Sequence, residues 1–289
     1  MKDKLEYSLF IALSYFLRIC GLNFSRRFAY LLALLFYYLI PIRKKTVFEN
    51  LSIAFPDKSK KEIKELTFKT YLSFCITIVE ILLLPYLSKE KIVELIRLKN
   101  ADQVLRKYKE GKGVILISAH FGNWEMTAIS GAIQIGIPFN VVVKNQRNQL
   151  VNNWINSVRT KWGNKIINLG ANIRTTYSVL KNGDILAIIA DQRGPEDGLK
   201  LEFFGRVTSV FTGPAVLSLK TGAPIFLGIP VRQKDFTYIT EMVELDRTNL
   251  PDDFEKQVEV LSQRMIKYVE NIIRKHPEQW LWMHRRWKH

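Results

Sequence analysis

Four short apolar runs in the second part of the chain constrain its fold most strongly. They are GVILIS (113–118), FNVVV (139–143), DILAIIA (184–190) and PIFLGIPV (224–231). Each has the length of one buried strand, and segments with a helical pattern separate them. Strands that alternate with helices are typical of an α/β sheet. The later stretch FTYITEMVEL alternates apolar and polar residues, so we predict a mixed, mostly parallel sheet flanked by helices.

The first hundred residues predict a helical region that associates with a membrane. Two apolar runs, YSLFIALSYFL (7–17) and FAYLLALLFYYLIPI (28–42), are each shorter than the roughly 20 residues of a straight span. Basic residues flank the second run on both sides: Arg26, Arg27, Arg43, Lys44 and Lys45. This pattern favours an embedded hairpin, interfacial helices with snorkelling side chains, or one longer tilted helix. A plain buried helical pair is the alternative.

The next segment predicts a long helix that begins with a capping box. Ser59 is the predicted N-cap, Glu62 stands three residues later, and Pro85 should end or kink the helix. We therefore predict a helical membrane-associated region over 1–100 and an α/β domain over 101–289, joined as one continuous globular unit.

The charge of the chain predicts an anionic partner. A formal net charge of +16 favours nucleic acid, an acidic lipid surface or an acidic protein. No helix-turn-helix, zinc-finger or RNA-binding signature supports nucleic acid. The two cysteines lie in apolar helical patterns without metal-ligand spacing, so we expect reduced thiols, no metal site and a protein that faces the cytosol.

The segment SAHFGNWEM (118–126) carries the candidate chemistry. His120 follows a predicted buried strand, and reactive groups in open α/β sheets collect at such strand ends. A regular helix would turn His120 and Glu125 about 140° apart, whereas a turn at Gly122 and Asn123 could bring them together. His120 would then act as a general base on a substrate hydroxyl, with Glu125 orienting the imidazole. The alternative is a core histidine beside an exposed glutamate.

The segment HFGNWE resembles the His-x4-Asp/Glu motif of the lysophospholipid acyltransferase superfamily. It is most similar to the bacterial lipid A biosynthesis (lauroyl/myristoyl) acyltransferases. Four further blocks resemble that family in the same order: RKKTVFENLSIAFPDKSKKE (43–62), LKNGDILAIIADQRG (180–194), FFGRVTSVFTGPAVLSLKTGAPI (203–225) and HPEQWLWMHRRWK (276–288). The resemblance therefore covers nearly the whole chain.

This resemblance implies roles for several residues. His120 and Glu125 match the catalytic pair, and Arg174 matches a basic position that could hold a phosphate or the oxyanion. A solvated arginine at a helix start is the alternative for Arg174. Three residues after a buried strand are expected at the same cavity mouth: Asp191, Gln192 and Arg193. The DQRG stretch departs from the Asp-His-Asp-Tyr-Gly-like stretch of the best-known lipid A enzymes, which leaves the acceptor open.

Two aromatic segments have weaker signals. The first predicts an acyl-chain groove with a polar entrance, formed by Phe203, Phe204 and Phe211 with Arg206 and Thr212; aromatic core packing is the alternative. The second predicts an interfacial belt or a C-terminal segment packed on the sheet, and contains Trp280, Trp282, Trp287, Arg285 and Arg286. No chemistry is assigned to the other three histidines, which are His276, His284 and His289.

The resemblance implies an acyltransferase of the bacterial inner membrane whose active site faces the cytoplasm. It would transfer a fatty acyl group from acyl carrier protein to a hydroxyl of a lipid A precursor, without a metal or organic cofactor. A coenzyme A thioester is the alternative donor, and a glycerophospholipid or another glycolipid is the alternative acceptor. Outside enzymes, a basic membrane-binding or nucleic-acid-binding module is the alternative.

Overall fold

The computed structural model describes residues 1–170 and 173–287. Its helices are α1 (Lys2–Leu34), α2 (Lys44–Ala54), α3 (Lys60–Leu83), α4 (Lys89–Leu95), α5 (Ala101–Lys109), α6 (Trp124–Ile135), α7 (Gln149–Thr160), α8 (Ile173–Lys181), α9 (Gly213–Thr221) and α10 (Phe254–Lys275). Its strands are β1 (Ile96–Lys99), β2 (Val114–Ser118), β3 (Phe139–Val143), β4 (Lys165–Asn168), β5 (Ile185–Ile189), β6 (Lys200–Phe203), β7 (Arg206–Ser209), β8 (Ile225–Gly228), β9 (Val231–Arg232) and β10 (Tyr238–Glu244).

The predicted mixed, mostly parallel sheet is confirmed. Its strand order is β1-β10-β8-β2-β5-β3-β4, with β9 paired to β10. All neighbouring pairs from β8 to β4 are parallel, whereas β10 runs antiparallel to β8 and β9. The four apolar runs form the neighbouring strands β8, β2, β5 and β3 at the centre of this sheet. Of these, β2 and β8 are almost completely buried. Strands β6 and β7 form a separate antiparallel hairpin.

Two helical segments are long and apolar enough to cross a membrane, as judged by length and composition. In Lys60–Tyr86, 72% of the most apolar window is buried inside the protein, so this segment serves as a core helix. In Lys2–Leu39, only 11% of the window is buried. Helix α1 changes direction at Gly21, where φ is 80° and ψ is 170°. The N-terminal segment is therefore a candidate membrane anchor, kinked at Gly21 and apolar on its exposed surface.

Helix α3 begins and ends where the sequence predicts. The Ser59 hydroxyl accepts a hydrogen bond from the Glu62 backbone N–H, and the Glu62 carboxylate accepts one from the Ser59 N–H. The helix stops at Leu83, and a short 3-10 turn over Leu84–Tyr86 contains Pro85. Each box partner satisfies an N–H that the helix start leaves unpaired, which explains why this local signal is reliable.

A buried charged network joins the N-terminal helices to the sheet. Arg26 of α1 donates from Nε to Glu80 of α3 at 2.8 Å, and both side chains are almost fully buried. The other Glu80 oxygen accepts from Tyr238 of β10 at 2.6 Å and from Asn123 at 3.0 Å. Strand β1 also pairs with β10, although it precedes the predicted boundary at residue 100. The first hundred residues therefore contribute one strand to the sheet.

Candidate active site

The loop between β2 and α6 has a tightly determined path. Gly122 has φ of +52°, and a Cβ there would lie 2.2 Å from the Pro230 carbonyl oxygen, so only glycine fits. The Thr77 hydroxyl of α3 donates to the Gly122 carbonyl at 2.7 Å. Asn123 caps α6, because its Oδ1 accepts from the Met126 N–H at 3.0 Å. These contacts fix the position of His120 at the carboxyl end of β2.

Asp191 holds the imidazole of His120. Its Oδ1 lies 2.8 Å from His120 Nδ1. Its Oδ2 accepts from the His120 backbone N–H at 2.8 Å and from the Trp280 indole N–H at 2.7 Å. The Asp191 side chain is only 1% exposed, so its carboxylate depends on these three donors. Trp280 is thus part of the candidate site, which the sequence did not reveal, since its indole N–H reaches Asp191 from the C-terminal segment.

Glu125 does not contact the His120 imidazole in the way that the predicted orienting role requires. Asp191 occupies Nδ1, and Glu125 instead forms a two-point ion pair with Arg159 of α7, in which Arg159 Nε donates to Oε2 at 2.8 Å. The cause is that α6 begins at Trp124, so Glu125 lies in its first turn and faces the neighbouring α7. No local sequence signal marked Arg159, because the pairing is made by tertiary packing.

The electrostatics of the site favour a charged His120–Asp191 pair. Burial alone would lower the pKa of His120, but the charge and hydrogen bond of Asp191, with a further contribution from Glu125, raise it above the ordinary value of 6.5. Burial would raise the pKa of Asp191, but the His120 charge and the hydrogen bonds from His120 and Trp280 lower it. Asp191 is therefore ionised near neutral pH, and the Nδ1 proton of His120 points to it. The imidazole Nε2 remains available to a substrate.

A cavity of about 760 Å³ opens beside His120. Charged and polar side chains line one part of it: His120, Glu125, Arg159, Gln192 and Arg193. Apolar side chains from the sheet and neighbouring helices line the rest, among them Leu116, Ile117, Ile135, Phe139, Val141, Ile167, Ile188, Ile189, Phe211, Leu217 and Met242. Its size and mixed lining are typical of a small-molecule or lipid site.

The structure brings three of the predicted site residues to His120. Asp191 binds the imidazole, whereas Gln192 lies beside it with Nε2 3.4 Å from Nδ1. Arg193 lines the same cavity. Arg174 is exposed at the start of α8, whose Ile173 and Thr176 line the cavity.

The predicted groove is only partly placed at the cavity. Thr212 precedes α9 and stands between the lining residues Phe211 and Gly213. Phe204, in contrast, is buried in the aromatic core, with its ring 5.6 Å from Phe55 and 5.9 Å from Trp282. Arg206 is exposed on the β6–β7 hairpin. The placement of these two at the groove is wrong, because the hairpin turn directs Phe204 inward and leaves Arg206 in solvent.

The C-terminal tryptophans pack inside the protein. Trp280 and Trp282 are buried, and their rings lie 4.6 Å apart. The alternative of a packed C-terminal segment therefore holds for these two residues, while His289 lies outside the described residues.

A family comparison covers almost the whole chain. The family model described as bacterial lipid A biosynthesis acyltransferase matches residues 2–289. The chain belongs to this family. The resemblance drawn from the sequence motifs is therefore confirmed, and the protein is an acyltransferase.

Individual relatives of this acyltransferase are distant in sequence. The chain is 26% identical over 249 residues to the lipid A biosynthesis palmitoleoyltransferase of Escherichia coli (strain K12), covering 85% of this chain and 79% of that protein. It is 25% identical over 251 residues to the lipid A biosynthesis lauroyltransferase of the same organism, with the same coverage. A phosphatidylinositol mannoside acyltransferase of Mycolicibacterium smegmatis (strain ATCC 700084 / mc(2)155) is 24% identical over 147 residues, covering 50% of this chain and 48% of that protein.

Substitution of Asp191 tests the geometry of the pair without an activity assay. In Asp191→Asn, the amide oxygen should take the place of Oδ2, because two N–H donors converge there. The amide NH₂ would then face Nδ1, which forces the ring proton onto Nε2. Because the carboxylate charge is also lost, the pKa of His120 should fall below its wild-type value. Histidine-ring ¹⁵N NMR at a series of pH values measures both changes.

Asp102→Asn is the matched control, since Asp102 is an exposed partner of Arg106 on α5. It should leave the tautomer and pKa of His120 unchanged. A folded Asp191→Asn protein that keeps the wild-type tautomer and pKa would contradict the assigned geometry.

Proposed function

We propose that this acyltransferase moves a fatty acyl group from a thioester to a hydroxyl of a lipid A precursor, with His120 as the general base. One observation carries the mechanism: Asp191 occupies Nδ1, while Nε2 has no hydrogen-bond partner within 1–170 and 173–287 and His120 lines the cavity. A histidine held in this way has the geometry that general-base catalysis requires.

The proposed reaction balances through one proton. Nε2 takes the proton of the acceptor hydroxyl as the oxygen attacks the thioester carbonyl. The resulting tetrahedral intermediate breaks its C–S bond, and the imidazolium gives the proton to the departing thiolate. Asp191 stabilises the imidazolium between these steps and holds the ring in one tautomer. Because Glu125 pairs with Arg159, we assign orientation of the ring to Asp191.

Side chains are better placed than backbone N–H groups to stabilise the oxyanion. The backbone N–H groups of His120, Phe121 and Gly122 already donate to Asp191, the Ala119 carbonyl and the Gln279 carbonyl, respectively. These groups therefore cannot point at a substrate in this conformation. Arg159 and Gln192 both line the cavity beside His120. We assign stabilisation of the oxyanion to Arg159 with help from Gln192, and propose that Glu125 fixes the Arg159 guanidinium.

The acyl chain fits the apolar part of the cavity. Strand residues such as Leu116, Val141 and Ile188 supply that wall, and His120 lies at its polar part. When the thioester carbonyl lies at His120, the acyl chain can therefore lie in the apolar part of the cavity, away from water. This burial favours binding by about 0.8 kcal/mol for each buried CH₂.

Family membership supports lipid A or a related glycolipid as the acceptor class. The partial similarity to phosphatidylinositol mannoside acyltransferases favours keeping other glycolipids as a second candidate. A panel of a lipid A precursor, a glycosylated phosphatidylinositol and a plain glycerophospholipid distinguishes them. Transfer to the glycerophospholipid alone would exclude the proposed acceptor.

Acyl carrier protein is the proposed donor because it is acidic and this chain carries a net charge of +16. Opposite charges raise the encounter rate, and salt screens them as the Debye length falls from about 10 Å at 0.1 M to about 3 Å at 1 M. We expect kcat/KM with this donor to fall steeply as salt rises, and kcat/KM with a small neutral thioester to stay nearly constant. Equal salt responses would reject carrier-protein docking.

Attachment to the cytoplasmic face of the bacterial inner membrane is proposed from the apolar surface of the N-terminal segment. Its exposed large side chains are Leu5, Leu9, Tyr15, Phe16, Ile19, Phe24, Tyr30, Leu31, Tyr38, Leu39, Ile40 and Ile42. Arg43, Lys44 and Lys45 follow directly, and such basic segments are attracted to anionic headgroups. So many exposed large apolar side chains on one segment are typical of a surface that contacts lipid or a protein partner.

Loss of the base should abolish most activity. His120→Ala and His120→Gln should lower kcat by about 10²- to 10⁴-fold, the usual contribution of a general base. The glutamine amide can still donate to Asp191, so at least this variant should keep its thermal unfolding temperature. His276→Ala is the control and should retain wild-type kcat. A folded His120→Gln protein with wild-type turnover would reject the mechanism.

Polar substitutions on the exposed N-terminal surface should weaken membrane binding. Leu9 and Ile19 are 64% and 84% exposed, so Leu9→Gln/Ile19→Gln should leave the core intact. We expect vesicle affinity to fall roughly tenfold or more for each residue, because each change removes apolar burial in the membrane. Flotation with anionic vesicles measures it. Val207→Gln/Phe254→Gln is the matched control. An equal loss of vesicle affinity in that control would show that the N-terminal surface is not the specific membrane contact.

A further inference from the structure

A second, smaller cavity of about 490 Å³ adjoins the catalytic one. Its described lining residues are Arg43, Arg193, His284 and Arg285, each of which can carry a positive charge. None of these lining residues is acidic. Such a lining is suited to an anion, because arginine guanidinium groups match the oxygens of phosphate in a two-point geometry.

Buried hydrogen bonds bring these distant parts of the chain together. Asn50 of α2 is 5% exposed, and its Nδ2 donates to the carbonyl of Trp282 at 2.8 Å and to that of His284 at 2.7 Å. Arg43 donates to the Met283 carbonyl at 3.1 Å. The C-terminal segment is therefore held against α2 and Arg43, which brings Arg43, His284 and Arg285 close together.

His284 has unused hydrogen-bonding capacity in this cluster. Its Nδ1 is buried and has no partner within the described residues. Burial, with contributions from the nearby charges of Arg286, His120 and Arg193, lowers the pKa of His284, although Asp191 opposes this. A bound anion would offset the cationic field and allow His284 to donate a hydrogen bond.

The location of the pocket connects two surfaces that the proposed function uses. Arg193 and His284 also line the cavity that contains His120. Arg43 and Arg285 also line a further cavity, whose other charged residues are Lys44, Lys45 and Glu49. The exposed Ile40 and Ile42 immediately precede this basic segment. An anionic group attached to a lipid could thus enter from the membrane-facing segment and come to lie beside the catalytic base.

We propose that the pocket of Arg43, Arg193, His284 and Arg285 binds a phosphate group of a substrate and so positions the reacting atoms at His120. This inference rests on the proposed acyl transfer. The phosphate could belong to the headgroup of a phosphorylated glycolipid acceptor or to the phosphopantetheine arm of the thioester donor. Both present the same chemistry: a negatively charged phosphate ester whose two or more non-bridging oxygens accept hydrogen bonds from arginine.

A substrate-by-variant kinetic comparison tests the pocket. The variants are Arg285→Ala and Arg43→Ala/Arg285→Ala, and the charge-matched control is Arg97→Ala/Arg106→Ala, whose arginines are exposed on β1 and α5. Each protein is assayed in detergent with a phosphorylated glycolipid acceptor and with its phosphatase-treated form. Each acceptor is paired with an acyl carrier protein thioester and with a small acyl thioester that lacks phosphate. Thermal unfolding checks that every variant is folded.

If the pocket binds a phosphate of the acceptor, the kcat/KM of the pocket variants should depend on the acceptor. Pocket variants should lose about 10- to 100-fold in kcat/KM on the phosphorylated acceptor, the effect of one or two charge-assisted hydrogen bonds. They should lose almost nothing on the phosphatase-treated acceptor, whichever donor is used. If the pocket binds a phosphate of the donor, the pocket variants should lose kcat/KM with the carrier-protein thioester and keep it with the small thioester. Either pattern supports the pocket and identifies the source.

Two results would overturn the inference. Folded pocket variants that keep the kcat/KM of the control double variant in every arm would show that the pocket binds no substrate phosphate. An equal loss in all four arms, including the pair without any phosphate ligand, would show a general effect on the site. If the wild-type protein transfers acyl groups in no arm, the proposed function itself fails, and the two failures remain distinct.

Discussion

The site depends on the hydrogen bonds that the buried carboxylate of Asp191 accepts. Its oxygens accept hydrogen bonds from the His120 ring, the His120 backbone and the Trp280 indole. These donors come from the loop after β2 and from the C-terminal segment, while Asp191 itself follows β5. Loss of the carboxylate would leave three buried groups without their partner, which is costly in a site this far from water. One side chain thus joins His120 to two distant parts of the fold.

A second buried carboxylate connects this site to the N-terminal helices. Glu80 binds Arg26 of α1, Tyr238 of the sheet and Asn123, which caps the helix after the loop that carries His120. Arg26 lies on the segment that is the candidate membrane anchor, so this network links that segment to the loop that carries His120. The cavity opening and the basic pocket would then have fixed positions relative to headgroups. Under the proposed function, the buried charges would couple membrane attachment to the geometry around His120.

Local signals explain which parts of the structure the sequence could predict. The central strands are short apolar runs, and the start of α3 is set by Ser59 and Glu62 only three residues apart, so both were predicted. The position of His120 at a strand end follows from the same pattern. The aromatic run around Phe204 was ambiguous, because a core and a lipid groove select the same residue types.

Pairings between distant residues could not be predicted in the same way. Glu125 stands five residues from His120, yet its partner is Arg159, which reaches it only after α6 and α7 pack. Trp280 and Asp191 are separated by 89 residues. The basic pocket needs Asn50 to hold the C-terminal segment near α2. Such contacts depend on three-dimensional packing, and one sequence contains no periodicity or spacing that encodes them.

The pH dependence of catalysis tests the central claim, that Asp191 prepares His120 as a general base. A base works in its neutral form, so activity should rise as pH increases through the pKa of His120, which Asp191 holds above 6.5. The measurement is kcat/KM with a small thioester against pH, compared with the pKa of the His120 ring from NMR on the same free enzyme. The account predicts a single acidic limb above pH 6.5 that coincides with the NMR value. A kcat/KM that stays constant while His120 titrates would contradict it.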